Sequence, residues 1–161
     1  MLCTGYYALM NATLFNSSIN VTSVSGTTVT YRNSYNTSYD FKMMDNNYST
    51  ESVNSSGYCI FVGSGDTPVK VTDKNLDSIF LSDTLTYGPL SYIRQFNNGK
   101  LDCVISRTFI NKTNAPITIK EVGLFNSNTS NYYLVLLSRE ILSEPITLQA
   151  GESISFQAKI F

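Results

Sequence analysis

The stretch I-T-I-K-E-V-G-L-F, residues 117–125, decides which fold this chain can adopt. Ile117 and Ile119 alternate with polar residues, a period of two that is typical of a β-strand with one buried face. Glu121 then stands where the alternation asks for an apolar side chain, and a carboxylate buried there without partners would cost several kcal/mol. Gly123 breaks the apolar run that follows, which indicates a bulge or a close backbone approach. The sequence therefore predicts a strand whose inward carboxylate finds hydrogen-bond donors or lies at the margin of a sheet.

The composition of the 161 residues excludes several classes of function. Only 14% of the residues are charged and the net charge is −1, so the chain lacks the positive field that holds nucleic acid phosphates. Histidine is absent, which removes Ser-His-Asp and Cys-His catalysis and the commonest zinc ligand. No apolar run of about 18 residues occurs and the N-terminal stretch has no cationic segment, so we expect neither a membrane span nor a secretion signal. We also expect no cofactor and no metal site, because no metal-binding loop is present.

Cysteine and asparagine patterns point away from a secreted protein. The cysteines Cys3, Cys59 and Cys103 match no metal or redox spacing, and we interpret them as reduced thiols used as small buried residues. Eight N-x-S/T sequons occur, among them Asn20 and Asn111. Without a signal peptide or an even set of cysteines we do not predict glycosylation. We expect a chain made in a cytoplasm.

Short strand-like segments separated by Asn, Gly and Pro turns run through the chain and predict an all-β fold. No long amphipathic helix lies between them, so the sequence favours an antiparallel β-sandwich, of jelly-roll or immunoglobulin-like type. We predict two parts, an N-terminal arm or hairpin with a polar Asn/Ser/Thr/Tyr-rich segment over 1–56 and a sandwich core over 57–161. The predicted segments are a hairpin over 21–31 and strands over 58–62, 84–96, 101–110, 117–125, 132–142 and 153–160.

Glu121 is interpreted as half of a structural ion pair. Arg139 and Arg107 lie in neighbouring predicted strands, and either could neutralise the inward carboxylate. Other acids could in principle serve a carboxylate-only glycosidase, which needs two carboxyl groups at a defined separation. The candidate pairs are Glu140 with Glu144 and Asp66 with Asp73. Such singly scattered acids are more often solvated or ion-paired, so no catalytic residue is predicted.

Tyr31, Tyr35 and Tyr39 recur every four residues in the polar segment. They could form an aromatic platform for sugar rings, or they could be ordinary strand and interface tyrosines. We favour the second interpretation, because tyrosine is enriched at protein contacts in general.

A series of short motifs follows in order from Val62 onward and resembles structural proteins of tailed bacteriophages. The resemblance implies a β-sandwich and a role in assembly, and it spans tail, collar, fibre-anchor and head-associated proteins. The residues that carry it are Val62-Gly63-Ser64-Gly65, Thr67-Pro68, Asp73 with Leu76, Arg107-Thr108-Phe109-Ile110-Asn111, Ile119-Lys120-Glu121-Val122-Gly123-Leu124-Phe125, Leu136-Leu137-Ser138-Arg139-Glu140 and Leu148-Gln149-Ala150-Gly151-Glu152-Ser153.

The expected function is therefore that of a non-enzymatic virion component. It would assemble as repeated copies near the head–tail junction, the tail or the fibre attachment, with copies of itself and other virion proteins as partners. Low charge and a surface rich in tyrosine and asparagine fit contacts between identical subunits. The alternatives are a receptor- or glycan-binding module on a phage fibre and, less favoured, a carboxylate-based glycan hydrolase.

Overall fold

The computed structural model describes residues 1–7, 18–32, 57–97, 100–127 and 134–159. These residues form eight β-strands and a single helical turn over 4–7. In chain order the strands are β1 Ser18–Thr22, β2 Thr28–Arg32, β3 Gly57–Gly63, β4 Leu85–Asn97, β5 Lys100–Asn111, β6 Ile117–Ser127, β7 Leu134–Leu148 and β8 Ser153–Lys159. Within this part of the chain no helix is long and apolar enough to cross a membrane.

The strands pair in three antiparallel sets. One sheet has the order β3-β6-β7, a second has the order β4-β5-β8, and β1 and β2 form a hairpin. The stretch 117–125 that opened the sequence analysis forms most of β6, the central strand of the first sheet. The prediction of an all-β chain with antiparallel sheets is confirmed.

Aromatic side chains of the two three-stranded sheets meet in a shared core. Phe61 of β3 lies with its ring centroid 5.2 Å from that of Phe125 of β6 and 5.6 Å from that of Tyr87 of β4. Tyr87 in turn contacts Phe109 of β5 edge to face, with centroids 5.3 Å apart. Such offset and edge-to-face contacts add to the burial of large apolar surfaces. Aromatic residues of β3 and β6 in one sheet and of β4 and β5 in the other therefore join the two sheets.

Strand β7 is longer than the sequence predicted. A strand over 132–142 ending before Glu144-Pro145 was expected, but β7 continues through Pro145 to Leu148. The pairing with β6 explains the difference, because it jumps from Ile141↔Glu121 to Ile146↔Ile119. The proline lies in the skipped stretch, where its missing N–H group removes no ladder hydrogen bond.

The described N-terminal residues pack on the first sheet. The hairpin contains the tight turn expected at Gly26, which has a positive φ of 83°, and Val24 N donates to Leu134 O at 2.9 Å. Leu2 forms an isolated antiparallel bridge with Ser138 of β7. Residues 1–7 thus contain one helical turn and also lie along a strand edge.

Candidate functional site

A cluster of buried charges lies where β6 and β7 meet the loop that follows β3. The side chain of Glu121 is 0% exposed and that of Arg139 is 1% exposed. Glu121 lies opposite Gly63, the last residue of β3, so the chain leaves the sheet directly beside the carboxylate. The loop from Ser64 to Thr84 then folds over both charges and supplies most of their partners.

Four donors satisfy the carboxylate of Glu121. Oε1 accepts the backbone N–H groups of Gly65 at 3.1 Å and of Ser78 at 2.8 Å. Oε2 accepts the backbone N–H of Asp77 at 3.1 Å and Nε of Arg139 at 2.9 Å. Two donors on each oxygen remove the cost of burying the charge, as the sequence argument required.

The guanidinium of Arg139 holds three carboxylates at once. Besides its bond to Glu121, Nη1 lies 2.8 Å from Oδ2 of Asp73 and Nη2 lies 2.7 Å from Oδ2 of Asp77. Burial alone would lower the pKa of Arg139, but hydrogen bonds to Asp73 and Glu121 and the nearby negative charges outweigh burial and raise it. The arginine therefore stays charged and connects β7 to two points of the loop.

Asp77 is anchored a second time by Thr67, which donates both its backbone N–H and its hydroxyl to Oδ2. The Thr67 hydroxyl bond and, after it, the charge of Arg139 lower the pKa of Asp77 against the opposing effect of burial. Asp73 Oδ2 also accepts the N–H of Lys70 at 2.9 Å, which closes a tight turn without a helix. Each acid of the cluster thus both neutralises Arg139 and shapes the loop.

Two glycines allow the loop to approach the carboxylate this closely. A Cβ atom on Gly63 would lie 2.6 Å from Oε1 of Glu121 and 2.4 Å from the carbonyl oxygen of Ser78. A Cβ atom on Gly65 would lie 2.6 Å from the same Oε1 and 2.4 Å from Cβ of Asp77. The Gly-x-Gly segment is therefore a requirement of packing around Glu121, and it surrounds a side-chain anion of the same chain.

Arg107, the other candidate partner of Glu121, lies elsewhere. It is 4% exposed, its Nε donates to Gly88 O at 3.1 Å, and its guanidinium carbon lies 4.8 Å from the centroid of the Tyr87 ring. Nη1 also reaches the carbonyl oxygen of Ile60 at 3.5 Å, which places the side chain between the two sheets. Burial lowers the pKa of Arg107. No ion pair to Arg107 occurs among the described residues, so Arg139 is the partner of Glu121.

Asn111, named above as a sequon and as a motif residue but not as a site, forms a second buried polar cluster. Its side chain is fully buried, Nδ2 donates to the carbonyl oxygens of Ala115 and Leu148, and Oδ1 accepts the N–H and hydroxyl of Thr113. The backbone of Asn111 bonds to the turn before β8, where Gly151 has a φ of 78°. The side-chain amide of Asn111, which a glycan would need, is thus fully engaged in hydrogen bonds within the chain. The position of Asn111 at the end of the motif 107–111 was the one feature of the sequence that could have indicated this structural role.

The remaining candidate residues are not brought together. Asp66 pairs with Lys120 at 2.7 Å, while Asp73 belongs to the Arg139 cluster. Glu140 and Glu144 are exposed on β7. Tyr35 and Tyr39 lie outside the described residues, as does the side chain of Tyr31.

The thiols and the acids offer little reactive chemistry. Cys3 and Cys59 are free and fully buried, and burial raises the pKa of Cys59 to about 12. The side chain of Cys103 is outside the described part. Within the described ranges no three His, Cys, Asp or Glu side chains form a group that could hold a metal ion. The acids of the cluster are committed to Arg139 and to backbone N–H groups, which is an arrangement suited to holding a loop in place.

Comparison of the chain with protein-family models, with curated proteins and with solved structures gave no match. The fold and the cluster define an all-β protein in which the buried charges of Glu121 and Arg139 neutralise each other and are held by further groups of the same chain.

Proposed function

We propose that this chain is a non-enzymatic structural subunit of a tailed-bacteriophage virion. It assembles in repeated copies near the head–tail junction, the tail or the fibre attachment, and its partners are copies of itself and other virion proteins. The two sheets are the layers of a β-sandwich of jelly-roll or immunoglobulin-like type, and the polar residues before β3 form its N-terminal arm.

The observation that carries the proposal is that residues from separate motifs contact one another and hold the fold together. Gly65 of the Gly-x-Gly segment, Asp73, Glu121 and Arg139 belong to four separate motifs and contact one another in a single cluster. Leu76 packs over Gly123, where an added Cβ atom would lie 2.8 Å from Cδ2 of the leucine. These residues hold a loop onto a sheet, and the three acids of the cluster are committed to Arg139 and to backbone N–H groups. If the motifs shared with phage structural proteins serve to build the fold and not to bind a substrate, their residues should contact one another in this way.

The geometry of the second buried polar cluster supports the same proposal. Asn111 binds two carbonyl groups that flank β6 and β7, and its backbone is bonded to the turn before β8. The motifs that contain Arg107 and Gly151 therefore meet here as well. Buried polar networks that are fully satisfied give a rigid, unique packing, and rigidity is what a repeated subunit needs.

The proposal predicts assembly of the purified full-length chain. Light scattering after size exclusion would give a mass several times that of one chain, and negative-stain images would show closed symmetric particles. A chain that stays monomeric at all concentrations would contradict the role as a repeated subunit. Glu140→Gln and Asp66→Asn, which change exposed acids outside the cluster, serve as control variants and should leave the mass unchanged.

A further inference from the structure

Residues 1–7, here called the strap, lie along the outer edge of β7. Met1 and Arg139 exchange two backbone hydrogen bonds, of 2.8 and 3.1 Å, and Cys3 N donates to Leu137 O at 2.7 Å. Leu2 is the residue opposite Ser138 between these bonds. The strap thus adds a short antiparallel strand to the β3-β6-β7 sheet and covers an edge that would otherwise invite pairing with other chains.

The strap fits this edge through specific contacts. Cys3 is fully buried, and Thr4 donates both its N–H, at 3.0 Å, and its hydroxyl, at 2.9 Å, to the carbonyl oxygen of Val71. A Cβ atom on Gly5 would lie 2.4 Å from Cγ1 of Val135 and 2.5 Å from the carbonyl oxygen of Leu136. The edge therefore accepts an extended piece over residues 1–3 with a small third side chain, followed by a helical turn with glycine at the fifth position.

Among the described residues, the hydrogen bonds of the strap to other segments are made to the body of the protein. These hydrogen bonds end on Val71 and on residues 137–139 of β7. A groove of about 140 Å³ lies between the strap at Thr4 and Gly5 and the strand β1 at Val21 and Thr22. Ten residues, 8–17, connect the strap to β1, and ten residues can span roughly 33–36 Å when extended. Nothing in the described contacts requires the strap and the edge to belong to the same chain.

The strap also leaves a group of apolar side chains exposed at one corner. Met1 is 64% exposed, Tyr7 56% and Val71 48%, and Leu2 is 38% exposed. These four residues are more than half of the large hydrophobic side chains exposed in the described part of the chain, seven in number. A contiguous exposed apolar corner marks a surface that a partner covers.

We propose that the edge of β7 is a strand-exchange site, which in the assembled protein takes the strap of a second copy of this chain. Exchange replaces each contact of the strap by an identical one, so no contact of the strap is lost and neighbouring copies are tied together. The apolar corner around Val71 is then buried against the donating copy. The inference rests on the proposed function only in requiring more than one copy.

Disulfide trapping tests the exchange directly. Leu2 and Ser138 are a non-hydrogen-bonded antiparallel pair, whose Cα atoms are about 4.5 Å apart, within the range that a disulfide spans. The variants Leu2→Cys and Ser138→Cys are made in separate full-length chains, both with Cys3→Ala to remove the neighbouring thiol. The two chains are mixed, unfolded and refolded together, and then oxidised. With the two chains mixed in equal amounts, random pairing makes about half of the exchanged pairs mixed, and a covalent dimer joining one chain of each kind is expected in that fraction.

Two controls separate the outcomes. The double variant Leu2→Cys/Ser138→Cys measures closure within one chain, and Gly5→Val, which cannot dock on Leu136, should abolish either bond. Light scattering shows whether the mixed chains assemble. If they do assemble but give no covalent dimer, while the double variant forms its disulfide within one chain, the exchange is wrong and the proposed assembly stands. If the chains do not assemble at all, both the exchange and the proposed function are wrong.

Discussion

Replacing Glu121 by glutamine keeps the shape of the side chain and removes its charge, which is the most selective perturbation of the ion cluster. One amide oxygen can still accept two donors, as Oε1 does now from Gly65 and Ser78. The amide nitrogen must then face the N–H of Asp77 and Nε of Arg139, which are both donors. Two bonds to a buried charged group are lost, at about 1.5–3 kcal/mol each, in line with the 3–5 kcal/mol typical of breaking a buried ion pair.

Urea unfolding followed by tyrosine fluorescence measures this change, since the chain contains 11 tyrosines and no tryptophan. With a urea dependence of about 2 kcal/mol per molar, a loss of 3–5 kcal/mol lowers the unfolding midpoint by roughly 1.5–2.5 M. Glu140→Gln is the matched control, because Glu140 lies on β7 next to Arg139 but is exposed. An unfolding midpoint of Glu121→Gln that equals those of the parent and the control would refute the reasoning about the cluster.

Four further changes have defined outcomes. Gly65→Ala should cost about 1–3 kcal/mol in urea unfolding, because its Cβ atom would overlap that of Asp77, and an unchanged midpoint would show that the loop can move away. The pKa of Asp77 is lowered by Thr67 and Arg139, so the stability it contributes is present above the unfolded value of 3.8 and lost as the pH falls through the lower folded value. The unfolding temperature should therefore fall less between pH 6 and pH 2 in Asp77→Asn than in the parent. Equal decreases in the two proteins would contradict the role given to Asp77. Arg139→Met should lower the stability to urea more than Arg107→Met does, because it removes the cation that neutralises three carboxylates. The described partners of Arg107 are carbonyl groups and aromatic rings. The reverse order of stability would contradict the roles given to the two arginines. A glycan array probed with the parent and with the triple alanine variant of the tyrosines should show no binding by either, whereas binding that the triple variant loses would favour the fibre-module alternative; the substituted positions are Tyr31, Tyr35 and Tyr39.

The sequence was informative wherever periodicity or charge placement constrained a single strand. The alternation before Glu121 predicted an inward carboxylate with partners, and the structure gives that carboxylate four donors. In β8, Ser153 and Ser155 alternate with apolar residues and are exposed, as a period of two requires. Such patterns follow from the geometry of a pleated strand and need no knowledge of the rest of the molecule.

The partners of the cluster could not be predicted in the same way. The N–H of Gly65 reaches Glu121 across 56 residues of sequence, and Asp73 reaches Arg139 across 66. These contacts depend on the path of the loop after β3, which has no periodicity. The choice between Arg107 and Arg139 depended on strand order, since β7 pairs with β6 whereas β5, which carries Arg107, belongs to the other sheet. Strand β7 was predicted too short because Pro145 is tolerated only where the ladder skips it.

Quantitative mass spectrometry of purified tailed particles is the most direct test of a structural role in the virion. Particles are isolated by density gradient from the culture in which the chain is produced, and peptides of residues 57–161 are counted against those of the major capsid protein. We expect these peptides in the particle fraction at a fixed number of several copies per particle. Their confinement to the soluble fraction, with none in the particles, would contradict the proposed function.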